Sequence, residues 1–122
     1  MQLYGSRQAG GVLTELSPAE SLTLFDGTET PAAGLTSLAF IRGPSPSLAD
    51  AGMTFQIDFL SAPTATILVQ GSNIDVEADY ETLWPSINTQ FDNYTDTTRW
   101  KFYRVKLSAY QAGGMPVVTV QR

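Results

Sequence analysis

Arg99-Trp100-Lys101-Phe102-Tyr103-Arg104-Val105-Lys106-Leu107 is the stretch on which the reading of this chain turns. It holds four of the seven basic residues and the densest run of aromatic side chains. In an extended chain, successive side chains point to opposite faces. Tyr103, Val105 and Leu107 then share an apolar face that belongs against a core. Trp100, Phe102, Arg104 and Lys106 share the other, where aromatic bodies sit beside basic heads and suit a surface that packs on something. The stretch predicts the central strand of a β-sandwich, with Trp100, Phe102 and Arg104 as contact residues on its exposed face.

Upstream, Met53-Thr54-Phe55-Gln56-Ile57-Asp58-Phe59 alternates without a break. Met53, Phe55, Ile57 and Phe59 fall on one face and Thr54, Gln56 and Asp58 on the other, the pattern of a half-buried antiparallel strand. Ala62-Pro63-Thr64 predicts a turn into a strand over residues 66–70, so that the two strands form a hairpin. Earlier strands are predicted over residues 12–16, over 21–25 before the turn signal Asp26-Gly27, and over 37–41 before the break Gly43-Pro44-Ser45-Pro46-Ser47. Downstream, Gly113-Gly114 turns the chain into a last strand over 116–121.

Two segments read as irregular. Asp75-Val76-Glu77-Ala78-Asp79-Tyr80-Glu81 alternates acid with apolar, and as a strand it would line four carboxylates on one face, where they repel. A loop or short helix is expected, ended by Trp84-Pro85, with Tyr80, Leu83, Trp84 and Ile87 as an inward stripe. Residues 90–98 are polar, anchored by Phe91 and Tyr94. Some seven to eight short strands between Gly, Pro, Asn and Asp turns predict an all-β antiparallel sandwich or jelly roll. Residues 12–122 are expected to form this single domain, large enough to bury about two thirds of its unfolded surface. Residues 1–11 are glycine-rich and read either as a frayed end or as an arm that orders against a neighbouring subunit, through Leu3, Tyr4 and Arg7.

The composition excludes several kinds of chemistry. The 122 residues include neither Cys nor His, so thiol nucleophiles, disulfides, the usual zinc sites and a Ser-His-Asp arrangement are absent. A net charge of −5 argues against a general nucleic-acid binder. No apolar run approaches the ~20 residues of a membrane helix. No apolar signal core follows Met1, which predicts a cytoplasmic product.

The charge is segregated. Asp75, Glu77, Asp79, Glu81, Asp92 and Asp96 occur with no basic residue among them, and Arg99, Lys101, Arg104, Lys106 and Arg122 follow with no acid. Such poles read either as a solvated loop beside its balancing strand or as a steering device between subunits. The first four carboxylates could serve Ca²⁺, but the alternating Asp/Asn loop with a central Gly is missing, and no metal or cofactor is expected. As a catalytic pair they would need a cleft holding two of them apart at a fixed distance, and no enzymatic activity is expected.

From residue 66 onward the order of signals carries a resemblance. A short strand runs into Gln70-Gly71-Ser72-Asn73, and an acidic segment ends at Leu83. Tyr94-Thr95-Asp96-Thr97-Thr98 then precedes Trp100-Lys101-Phe102-Tyr103-Arg104-Val105 and a Val-rich last strand. This resembles the C-terminal half of discoidin-like, carbohydrate-binding-module-like sandwiches, from which it departs where Ile74 intervenes before Asp75. With a glycine-rich start and no signal core, the chain also resembles small accessory proteins of tailed-bacteriophage virions, including capsid decoration or cement proteins. That resemblance implies a structural virion protein made in the host cytoplasm and placed on the capsid surface. Its expected partners are the major capsid protein or another virion protein, and further copies of itself as a dimer or trimer, with no nucleic acid and no membrane. The alternative is a glycan-binding module that uses Trp84, Tyr94 or Tyr110 as a stacking platform.

Overall fold

The computed structural model describes residues 13–44 and 52–122. The expected arm, with Leu3, Tyr4 and Arg7, lies outside them. The described residues form ten strands: β1 (Glu15–Leu16), β2 (Ser21–Asp26), β3 (Leu35–Thr36), β4 (Phe40–Arg42), β5 (Met53–Asp58), β6 (Thr64–Ser72), β7 (Glu81–Ile87), β8 (Phe91–Asp96), β9 (Phe102–Ala112) and β10 (Val117–Gln121). A 3-10 turn at Glu77–Asp79 precedes β7. The first sheet runs β1-β4-β9-β6-β7, with β3 also paired to β9; the second runs β2-β10-β5-β8. Among the described residues, only β1 and β4 pair in parallel.

Taken together, β3 and β4 are one interrupted strand against β9. The chain then passes β2 in the second sheet, β3/β4 in the first, β5 in the second, β6 and β7 in the first, β8 in the second, β9 in the first and β10 in the second. This alternating wrap is the double-sheet path of a jelly roll. The expected strand over 37–41 is thus split, and Ser37 bridges the gap. Its N–H donates to the Val105 carbonyl at 2.9 Å, and its hydroxyl oxygen accepts from the Val105 N–H at 3.1 Å. A side chain here stands in for a missing ladder carbonyl, so no buried backbone group is orphaned.

β9 is the central strand, flanked by β6 on one side and β3 and β4 on the other. Tyr103, Val105 and Leu107 are fully buried, as are Met53, Phe55 and the rest of the apolar face of β5. The rings of Phe40 and Tyr103 from one sheet and Phe55 from the other meet with centroids 5.8–6.4 Å apart. Each fully buried aromatic of this kind contributes roughly 2–3 kcal/mol through area removed from water.

Three expectations are corrected by the pairing. β5 and β6 do not form a hairpin: β5 pairs with β10 and β8, whereas β6 pairs with β9 and β7. The Pro63 turn is a corner that carries the chain from one sheet to the other. Trp84-Pro85 does not end a helix but lies within β7. Pro85 is tolerated there because β7 is a sheet edge, where a missing N–H costs no ladder bond. The polar segment after Gln90 is itself a strand, β8, in unbroken register with β5 from Asp58↔Phe91 to Met53↔Asp96.

Candidate docking surface

The outer face of the second sheet is built from the polar halves of four strands. β5 contributes Thr54, Gln56 and Asp58; β8 contributes Phe91, Asn93 and Thr95; β10 contributes Val117, Thr119 and Gln121; β2 contributes Ser21, Thr23 and Asp26. The cross-strand register sets these side chains in rows. Two rows, Thr23-Thr119-Gln56-Asn93 and Ser21-Gln121-Thr54-Thr95, carry no charge. Thr54 and Thr95 hydroxyls meet at 2.9 Å across one of them. The remaining row, Asp26-Val117-Asp58-Phe91, mixes two carboxylates with exposed apolar groups.

Beside that row, Leu60 is 91% exposed and Phe91 67%. Two shallow hollows flank Asp58. One, of about 260 Å³, lies toward Gln56, Phe91 and Asn93; the other, of about 250 Å³, lies toward Asp26, Leu60, Met115 and Val117. Asp26 is shaped by its own turn: its carboxylate accepts from the Thr28 hydroxyl and N–H, which hold its pKa below the usual value. The face has only shallow hollows, is neutral over most of its area and is apolar at one end, which suits a protein surface more than a small ligand.

The outer face of the first sheet is partly covered by the acidic segment. Arg104, which is buried, donates to the Gln70 side chain at 2.8 Å and to Glu77, and its guanidinium sits 4.0 Å from the Tyr80 ring centre. The bond from Arg104 holds the Glu77 carboxyl below its usual pKa, with Lys106 adding attraction at 3.8 Å. Tyr80 in turn donates to Asp75 at 2.7 Å. The segregated charges are therefore partly one latch: the basic strand pins the acidic segment on its outer face.

This revises the predicted contact residues. Arg104 is not an exposed contact; it is the peg under the latch. Trp100 is not on the outer face. Arg99, with φ at +64°, turns the chain so that the indole packs against the core, over Gly71 and near Leu83. Phe102 does face outward, half-buried, with the Lys101 ammonium 5.4 Å from its ring centre.

The proposed stacking platform takes a different form. Trp84 and Tyr94 stack on each other, centroids 5.4 Å apart and planes within 9°, joining β7 to β8 across the open side of the sandwich. The Ser86 hydroxyl repeats that bridge by donating to Asp92 at 2.9 Å. Tyr110 stands four residues further along β6, on the Ala65 row, where its hydroxyl accepts from the Gly114 N–H. Among the described residues, no three acidic side chains gather as a metal cluster would require.

Sequence reasoning missed the buried carboxylate of β8. Asp96, 2% exposed, points inward from β8 and accepts from the hydroxyls of Tyr103 at 2.6 Å, Tyr94 at 3.0 Å and Thr98 at 2.8 Å. Burial, reinforced by the Asp96 carboxylate, raises the pKa of both phenols, that of Tyr103 strongly. The neutral-face residues were also missed as a set. Their signal was present in the polar halves of β5 and β10, but only the sheet order brings those halves together. Comparison with known proteins finds no matching family model, no matching curated protein and no matching solved structure.

Proposed function

We propose that this jelly roll is a structural, adhesive module that docks through the outer face of its second sheet onto neighbouring protein subunits. The shell it decorates, on this reading, is a tailed-phage capsid. The single observation that carries docking is the face itself: two uncharged rows beside an apolar end of Leu60, Phe91 and Val117. Desolvating Thr, Ser, Asn and Gln costs far less than desolvating Lys or Glu, and each retains donors and acceptors for direct or water-bridged bonds. A face of this kind can bury the ~800 Å² per partner of a specific joint. The virion as its location rests on the resemblance to phage accessory proteins, which combines the pattern over residues 66–122 with the glycine-rich start and the missing signal core. On a shell, many identical weak joints add up through repetition.

The test is co-sedimentation of the purified chain with capsid shells that lack it, prepared from the phage encoding it. Saturable binding is expected, with Gln56→Arg weakening it about tenfold by placing an unpaired charge in the joint. Absence of binding by the folded wild-type chain, together with a positive glycan array, would replace this reading with the glycan-binding one.

A further inference from the structure

We infer that β8 is a pairing edge for a second copy of this chain, joined β8 to β8 in antiparallel register about Asn93. A sandwich exposes the edges of its sheets, and unpaired edge strands recruit other strands unless something blunts them. Among the described residues, three of the four sheet edges are blunted. β1 is only two residues long, β2 is kinked by a register shift against β10, and β7 carries Pro85 and a register shift of its own. β8 has six residues in unbroken register with β5, and neither Pro nor Lys.

The ladder says which groups are on offer. Phe59 N–H donates to the Gln90 carbonyl at 2.8 Å, on the same register as the β5–β8 pairs. Antiparallel bonding alternates, so Asp92, Tyr94 and Asp96 turn their backbone groups toward β5, and Phe91, Asn93 and Thr95 turn theirs to the free edge. The Asn93 N–H rests meanwhile on the Asp92 carboxylate of its own chain, at 3.0 Å, and would exchange that contact for a ladder bond.

A two-fold axis at Asn93 uses this set without a mismatch. Asn93 pairs with its copy, Phe91 with Thr95 and Thr95 with Phe91, all as hydrogen-bonded pairs. Asp92 then lies opposite Tyr94, and no carboxylate faces another. Inward-pointing charge commonly protects an edge, but here both inward acids already have partners: Ser86 for Asp92, and Tyr94, Thr98 and Tyr103 for Asp96. The Trp84–Tyr94 stack braces the strand from inside. Pairing would set Phe91 beside Thr95 of the second copy and join two largely uncharged faces into one eight-stranded surface. A self-complementary register with alternating bonds and no like-charge contact is what selects a second copy as the occupant.

The dimer forms in the absence of any shell, so this inference and the docking reading can fail separately. The test is sedimentation velocity of the full chain from micromolar to millimolar concentration. A reversible dimer is expected. Asn93→Lys and Asn93→Asp, at an exposed position, each set like charges directly opposite and should weaken association about tenfold. An equimolar mixture of the two variants should recover it as a heterodimer. A wild-type chain that stays monomeric throughout overturns the inference, even if either variant fails to fold. So does an Asn93→Lys chain that dimerises like wild type, or a mixture that gains nothing.

Discussion

The Tyr103 hydroxyl on β9 donates to the Asp96 carboxylate on β8 at 2.6 Å, inside the sandwich and across its two sheets. The same phenolic oxygen accepts the Trp100 N–H at 3.0 Å. One side chain therefore locks an edge strand, a central strand and the turn between them. Tyr103→Phe keeps the ring packing and deletes the hydroxyl, taking a donor from the buried Asp96 carboxylate and the acceptor from the part-buried Trp100 N–H. Urea unfolding should show a loss of about 1–3 kcal/mol. Tyr94→Phe, at a half-exposed site, should cost less.

Alkaline stability follows from the same pair of phenols. Tyr103 and Tyr94 both titrate above their ordinary value of 10.0, because burial disfavours the phenolate and Asp96 repels it. The folded value exceeds the unfolded one, so the stabilisation is complete below pH 10 and declines as pH rises beyond it, where only the unfolded chain releases the proton. Unfolding midpoints measured from pH 8 to 11 should fall above pH 10, and Tyr103→Phe should flatten that decline.

The Arg104 latch predicts a local effect with a global cost. Arg104→Ala should destabilise the fold by about 2 kcal/mol, since it strips a buried side chain from Gln70 and Glu77. It should also release residues 74–80, seen as faster amide exchange there than in β6. Glu77, depressed below its usual carboxyl value, supports the latch above that range. Protection factors in residues 74–80, taken against the intrinsic exchange rate at each pH, should therefore fall as pH drops through the folded value of Glu77, before those of the core strands respond.

Gly71 leaves the space that Trp100 fills. A Cβ there would come within 2.7 Å of the indole ring and 3.1 Å of Leu83. Gly71→Ala should displace the ring and cost about 1–3 kcal/mol, with a red shift in tryptophan emission as its check.

Much of the sandwich was legible in the sequence, for physical reasons that also mark where legibility stopped. β2, β5, β9 and β10 each bury one face, so period-two alternation announces them. β8 does not, because its inward face carries Asp92 and Asp96, whose burial is compensated by donors from β7, β9 and the turn between β8 and β9. No local pattern encodes that compensation. The Pro63 corner uses the same residue chemistry as a hairpin turn, and only the pairing of β5 with β10 distinguishes them. Trp100 and Arg104 were placed by alternation alone. The left-handed Arg99 rotates the first of them inward, and the folded-back acidic segment buries the second. The docking face was invisible as a unit because its rows are assembled from strands up to a hundred residues apart, such as Ser21 and Gln121.

The most direct test of docking through the second sheet is hydroxyl-radical footprinting of the chain, free and bound to capsid shells. Leu60 and Phe91 are highly exposed and reactive, and Val117 partly so. Binding should protect all three while leaving Ile74 and Val76, on the acidic segment of the other sheet, as reactive as before. Protection confined to Ile74, Val76 and Phe102, with Leu60 and Phe91 unchanged, would contradict the account.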